Sequence, residues 1–277
     1  MYLLDKLKQT DLIEYAECKK VVLAYSGGLE TSVLLKLFQE LAVDVVTVTL
    51  DFGQDEYSAQ ALDSVKEKAI SLGASKAFVI DGKKDFVENY VNKAIQANCL
   101  YQGNYPCSTA IGRPLIAKHL VETALQEGAD AVAHGSTGKG NDYLRFHVSV
   151  KAMCPGLKVL APVRDWAFSR TEEIDYAAKN NIPVPVTHSS PYSVDANLWG
   201  RSSEGGVIED AGTSVPDDVL EWCLPVEKSL DSPGLVKLFF EKGIPVKAEF
   251  DGKVFEDEVS LIHGLNSFAG AHGVGVI

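Results

Sequence analysis

Ser26-Gly27-Gly28-Leu29-Glu30-Thr31-Ser32 is the stretch of this chain best equipped for chemistry. Two successive glycines let the backbone turn sharply and bring N–H groups close to a ligand, and Ser26, Thr31 and Ser32 add hydroxyl donors around a helix start. Such a loop suits an anion, phosphate first of all. For an isolated Ser-Gly-Gly, the bland alternative is a tight strand-to-helix turn capped by Ser or Thr. A second polar stretch, His134-Gly135-Ser136-Thr137-Gly138-Lys139-Gly140-Asn141-Asp142-Tyr143-Leu144-Arg145-Phe146, alternates glycines with donors and acceptors of many kinds. It reads as another binding loop, with a solvated surface loop as the alternative. Between them, Gly112-Arg113-Pro114-Leu115-Ile116-Ala117-Lys118 opens a helix, with Pro114 in the first turn where a missing N–H costs little.

Each loop needs a strand to hold it. Val21-Val22-Leu23-Ala24-Tyr25 is an unbroken apolar run of the kind buried on both faces of a parallel sheet, and Ala131-Val132-Ala133 precedes the second loop. Between and after them the pattern predicts a helix over 31–42, a β-branched strand over 43–50 and a helix at about 56–72 closed by Gly73. It continues with a strand at 76–80, a helix at about 84–98, another at 114–127 closed by Gly128, and strands at 131–134 and 157–162. This alternation predicts an α/β fold: an open parallel sheet with helices on both faces, and ligands beyond the carboxyl ends of the strands. Past residue 165 prolines and glycines punctuate shorter segments, which predicts a smaller α+β part. It has a helix at about 170–180, strands at 244–250 and 253–256, and a helix at 257–270. The expected division is a helical extension over 1–18, a first domain over 19–165 and a second over 166–277.

Composition narrows the field. The 277 residues are 46% apolar or aromatic and 23% charged, which is ordinary globular composition. The net charge of −12 opposes long-range attraction to a nucleic acid or an anionic membrane, so small molecules are the expected partners. No apolar run approaches the roughly 20 residues of a bilayer span and no signal-peptide core opens the chain, so a cytoplasmic location is expected. The five cysteines contain no C-x-x-C, which disfavours a disulfide framework and a sulfur-bound zinc. The six histidines show no metal spacing, so no resident metal site is expected. Cys107 and Trp199 read as packing residues, His134 as a histidine hydrogen-bonded within the fold, and the acidic clusters as solvated faces. Neither G-x-G-x-x-G nor a Walker A loop is present, since Gly138-Lys139 is followed by Gly140.

Strand, Ser-Gly-Gly-x-acid-Thr-Ser, helix resembles the PP-loop of N-type ATP pyrophosphatases. With the Arg-Pro-x-Ile-Ala-Lys segment and the His-Gly-x-Thr-Gly-Lys-Gly-Asn-Asp-x-x-Arg-Phe segment, the chain resembles the argininosuccinate synthase family. The likeness continues through Pro191-Tyr192-Ser193-Val194-Asp195, Asn197-Leu198-Trp199-Gly200-Arg201-Ser202 and Gly243-Ile244-Pro245-Val246 to Ala271-His272-Gly273-Val274-Gly275. It implies a ligase that uses ATP with Mg²⁺ to place AMP on the ureido oxygen of citrulline, releases pyrophosphate, and lets the amine of aspartate expel AMP. By resemblance, Ala24, Tyr25, Ser26, Gly27, Gly28, Leu29, Glu30, Thr31 and Ser32 hold ATP, with Leu50 and Gly135. Thr137, Asn141 and Asp142 take aspartate, and Tyr105, Asn141, Arg145, Ser193 and Ser202 take citrulline. Asp142, Arg145 and Lys139 are the expected catalytic side chains.

The pattern is broken at three places. Glu30 replaces the family's Asp in the loop, Ala110 replaces a citrulline-contacting Ser, and the sequence stops at Ile277, before a Glu, a Tyr and a tetramer-forming helix of the family. Homo-oligomerisation is therefore expected only without that helix. Two other functions stay open: an ATP-dependent ligase for a different carbonyl or ureido substrate, and an impaired nucleotide-binding module that needs a partner chain.

Overall fold

The computed structural model describes residues 15, 17–54, 59–138, 140–183 and 192–277. Within them the chain forms two compact units, interleaved along the sequence. The first gathers the residues up to Asp51, the stretch ending at Ile80, and the stretch from Arg113 to Pro183. The second gathers Phe52–Gln54, Asp81–Gly112 and everything from Tyr192 onward.

The first unit is built on a five-stranded sheet in the order β3-β2-β1-β4-β5. Its strands are β1 (Lys20–Ala24), β2 (Asp44–Asp51), β3 (Lys76–Asp81), β4 (Ala131–Ala133) and β5 (Lys158–Leu160). The pairings β2–β1, β1–β4 and β4–β5 are all parallel, as the continuous apolar runs require. Side chains alternate between two cores. Val21, Leu23, Val45, Ala131 and Ala133 face one, which takes α1 (Leu29–Glu40), α7 (Pro162–Trp166) and α8 (Arg170–Lys179). Val22, Val46, Val48 and Val132 face the other, which takes α5 (Arg113–Glu127) and α6 (Asp142–Met153). Helix α2 (Ala59–Ser71) adds Ala69 to the first core.

Helix α1 is buried far beyond one stripe because the sheet covers one side and α8 another: Val33, Leu34, Leu35, Leu37 and Phe38 are all fully enclosed. Phe38 meets Trp166 and Tyr15, with ring centroids 6.3 and 6.4 Å away. Helix α8 starts on a capping box, in which Ser169 Oγ accepts from the Glu172 N–H and the Glu172 side chain accepts from the Ser169 N–H.

The second unit is antiparallel. Strands β8 (Lys237–Glu241), β9 (Ile244–Phe250) and β10 (Lys253–Phe255) pair in the order β10-β9-β8, and α9 (Glu258–Ala271) packs on this sheet. Phe250 stacks on Phe255 and meets Phe268 at centroid distances of 4.6 and 5.0 Å. A hairpin of β6 (Ser193–Asn197) and β7 (Gly200–Glu204) completes it, with a helical run of α3 (Lys83–Phe86), a π turn (Val87–Val91) and α4 (Asn92–Gln96).

Several expectations change. The polar stretch 134–146 is not loop throughout, because α6 begins at Asp142. The expected helix over 84–98 carries a π turn and ends at Gln96. The hairpin and β8 carry no apolar alternation strong enough to announce them. Residues 81–112, contiguous in sequence with the first domain, pack in the second unit. Residues 166–182, grouped by composition with the second part, bury Trp166, Phe168, Tyr176 and Ile182 in the core of the first. Of the expected N-terminal helix, only Tyr15, Glu17 and Cys18 are among the described residues.

Candidate functional site

Strands β1 and β4 lie side by side, while the strands that follow them in sequence lie on opposite sides, so the strand order reverses between β1 and β4 although all the strands there run parallel. The loops after these two strands flank the position where open α/β sheets bind ligands. Tyr25 is fixed first: its N–H donates to the Val48 carbonyl at 2.8 Å and its carbonyl accepts from Thr49 Oγ1 at 2.7 Å. Its hydroxyl shares a 3.3 Å hydrogen bond with Ser32 Oγ. Gly27 then turns through φ +78°, a conformation that favours glycine, and Gly28 caps α1 without a side chain. The Gly28 N–H donates to Ser26 Oγ at 3.2 Å, and Ser26 Oγ lies 3.2 Å from Thr31 Oγ1. A helix leaves its first N–H groups without intrahelical partners, and among the described residues no side-chain cap takes one here.

The second loop closes on the first. A Cβ on Gly135 would stand 3.2 Å from Thr31 Cγ2 and 3.5 Å from Glu30 Cβ, so a side chain here would crowd Thr31. Ala24 and Glu30 are half-buried, Leu29 and Leu50 are buried, and Thr31 and Ser32 are enclosed. His134, before Gly135, is buried and stacks on Phe146 at 4.7 Å. Its Nδ1 accepts from the Ser136 N–H at 3.2 Å, in agreement with the expectation of a histidine bonded within the fold. Burial holds it down to about pKa 4, and it is neutral at pH 7.

Further along, Thr137 and Asn141 are exposed, and Asn141 stands at the N-cap of α6 with no side-chain cap bond. Asp142 opens α6 and is gripped on both oxygens. Arg113 Nε donates to Oδ2 at 2.9 Å and Arg145 Nη1 to Oδ1 at 2.5 Å. Each carboxylate oxygen retains a lone pair for a further donor such as an ammonium group. Arg164 Cγ would meet a Cβ on Gly138 at 3.1 Å, and its guanidinium lies over the Tyr143 ring at 4.5 Å. Lys139 lies outside the described residues.

The remaining expected residues belong to the second unit. Tyr105 Oη and Ser202 Oγ share a 3.3 Å hydrogen bond, and Ser193 opens the hairpin opposite Glu204. Sequence reading thus names residues that fall into two clusters, one in each unit.

Three side chains near the loops were given no role from sequence, Arg113 having been named only as part of its motif. Arg113 grips Asp142, and Lys68 Nζ donates to the Gly27 carbonyl at 2.6 Å. Glu173, on α8, is only 3% exposed, and its Oε1 finds no hydrogen-bond partner among the described residues. Burial first and the charge of Glu30 second push its carboxyl up to about 8. Arg113 stands at a helix N-terminus, where a cation opposes the helix dipole, and that misplacement was the available signal.

Comparison with known proteins fits this geometry. The family model for the arginosuccinate synthase N-terminal HUP domain matches residues 20–183, and the model for the C-terminal domain matches residues 192–277. The chain belongs to the argininosuccinate synthase family. A protein named argininosuccinate synthase from Halalkalibacterium halodurans is 52% identical over 259 residues, which cover 94% of this chain and 62% of that protein. One of the same name from Dictyoglomus turgidum is 50% identical over 262 residues, 94% of this chain and 64% of its own. One from Geobacillus kaustophilus is 52% identical over 258 residues, 93% and 62%. The chain spans less than two thirds of the length of these relatives. Among the described residues, no helix is long and apolar enough to cross a membrane.

Proposed function

We propose that this chain binds ATP on the Ser26–Ser32 loop and carries out the argininosuccinate synthase reaction. The observation that carries the reading is the meeting of the two loops where the strand order reverses, with Gly135 packed against Thr31 and Glu30 at a helix start without a side-chain cap. A ureido carbon is a poor electrophile because two nitrogens donate into its carbonyl, and its oxygen leaves poorly. Attack of the citrulline oxygen on the α-phosphorus, with loss of pyrophosphate, cures both. The aspartate amine then adds to the carbon and AMP departs with the oxygen. No protein nucleophile is required, so the chain contributes alignment and stabilisation of phosphate charge.

In this reading the backbone around Gly27 and Gly28 holds phosphate. Thr137, Asn141 and Asp142 take aspartate, with Asp142 oriented by Arg113 toward the ammonium group. Asn141, Arg145, Tyr105, Ser193 and Ser202 keep the citrulline roles that the family pattern gives them. Among the described residues no group of three or more His, Cys, Asp or Glu side chains could hold a metal ion. Mg²⁺, which dehydrates reluctantly, would be held chiefly by phosphate and water, with Glu30 the carboxylate at the loop.

The test uses citrulline labelled with ¹⁸O in the ureido group, with ATP and aspartate. Label recovered in AMP, with one pyrophosphate per AMP, is the expected result. Asp142→Ala should abolish aspartate-dependent AMP release while ATP still binds. ATP turnover only with another carbonyl acceptor would replace citrulline in this reading, and unchanged turnover in Asp142→Ala would remove Asp142 from the site.

A further inference from the structure

We propose that Lys68 is a positioning residue of the phosphate loop: by holding the Gly27 carbonyl it turns the N–H of Gly28 toward the bound anion. The proposal rests on the reading of Ser26–Ser32 as the ATP-phosphate site. Lys68 sits in the last turn of α2, and its Nζ donates to the Gly27 carbonyl at 2.6 Å. Ser32 Oγ donates to the same carbonyl from α1 at 3.4 Å. One turn before Lys68, Val65 packs on the loop so closely that a Cβ on Gly27 would lie 3.3 Å from Val65 Cγ2. The residue that turns the chain is thus clamped from α2 by one apolar and one charged contact.

The geometry of the peptide group converts this clamp into an orientation. The unit between Gly27 and Gly28 is planar and trans, so its C=O and N–H point in opposite directions. Pinning the oxygen on the α2 side commits the N–H to the Ser26 side. There it donates to Ser26 Oγ at 3.2 Å, longer than the usual 2.9–3.0 Å of a good N–H···O bond, and an incoming phosphate oxygen can replace that acceptor. Because Gly27 has no Cβ and sits at φ +78°, this peptide has little intrinsic preference to hold it in place. A flipped peptide would present its carbonyl to the anion instead of a donor. A charged donor holds a carbonyl more firmly than a neutral one, which accounts for a lysine here. Burial pulls the Lys68 ammonium below the usual lysine range, a cost that a side chain serving only solubility would avoid by turning to water.

The experiment is calorimetry of ATP and of adenosine on the full chain and on Lys68→Met, Lys68→Arg and Lys68→Gln, with the Gly28 amide followed by ¹⁵N-glycine labelling. Lys68→Met should weaken ATP by about 10–100-fold, the loss expected for one hydrogen bond from a charged group. Adenosine, which lacks phosphates, should bind unchanged. Lys68→Arg should recover most of the loss, and the ATP-induced shift of the Gly28 amide should be lost in the neutral variants and kept in Lys68→Arg. If Lys68→Met does not fold, Lys68→Gln carries the same comparison. Equal ATP affinity in parent and neutral variants overturns the proposal, as does a parallel loss for ATP and adenosine, which would mark a merely structural lysine. Folded parent chain that binds no ATP sinks the phosphate-loop reading itself.

Discussion

Glu173→Gln separates the charge of a buried carboxyl from its shape. Glu173 lies on α8 where that helix packs on α1, and it is 3% exposed with Oε1 unpartnered. Desolvation is the main reason its pKa rises from 4.5 to about 8; Glu30 adds to the shift, Arg170 opposes it and Glu172 adds again. Between these two values the folded state holds a proton that the unfolded state has released, so stability falls as pH rises. The slope is about 1.4 kcal/mol per pH unit, giving about 5 kcal/mol across the window and about 3 kcal/mol by pH 7. Above pH 8 both states are ionised and the loss levels off. Glutamine keeps the size and most of the polarity but has no proton to lose. Urea unfolding of parent and variant, measured from pH 4.5 to 9, should show equal stability at the acid end and a growing advantage for Glu173→Gln up to pH 8. Two curves separated by a constant amount would refute the reasoning, because they would mean that Glu173 titrates alike folded and unfolded.

Two further substitutions probe the loop and the core. Gly27→Ala forces a side chain into φ +78° against Val65, and should cost about 1–2 kcal/mol in urea unfolding while weakening ATP in calorimetry. Phe38→Ala empties the centre of the cluster with Trp166 and Tyr15, and should lower unfolding free energy by about 3–5 kcal/mol without changing which nucleotide binds.

The sheet was legible because parallel strands buried on both faces are apolar and β-branched nearly throughout, as Val21–Leu23 is and as Val45–Val48 is apart from Thr47. The loops were legible because two glycine- and hydroxyl-rich stretches each follow a predicted strand, a combination more specific than a capped strand-to-helix turn alone. The start of α6 was not, since Gly138 and Gly140 break the helical pattern just before it; Asp142 in the first turn with Phe146 and Val150 at helical spacing was the usable signal. Glu173 and Lys68 were hidden for another reason. Each sits in a run of charges, Arg170-Thr171-Glu172-Glu173 and Lys66-Glu67-Lys68, that reads as a solvated helix face. Only the packing of α8 on α1, and of α2 on the loop, removes one member of each run from water. The exchange of residues 81–112 into the second unit leaves no local trace, because helix periodicity is the same whichever core a helix joins.

These hidden residues share an electrostatic logic. Burial drives Glu173 and His134 toward their uncharged forms at neutral pH, and the ammonium of Lys68 is spent on a backbone carbonyl. What remains facing the loop opening is a set of backbone N–H groups at an uncapped helix start, fixed in direction and partly shielded from water, where a dipole acts more strongly than in bulk solvent. A chain of net charge −12 cannot draw a polyphosphate by its overall field, so the attraction must be local and oriented. An ionised Glu173 beside Glu30 would oppose it, and a lost Lys68 contact would free the one peptide whose direction it depends on. Under the proposed function the same reasoning accounts for Glu30 in the first turn: one acidic group there can be offset by a cation arriving with a triphosphate, whereas two ionised carboxylates would repel the triphosphate.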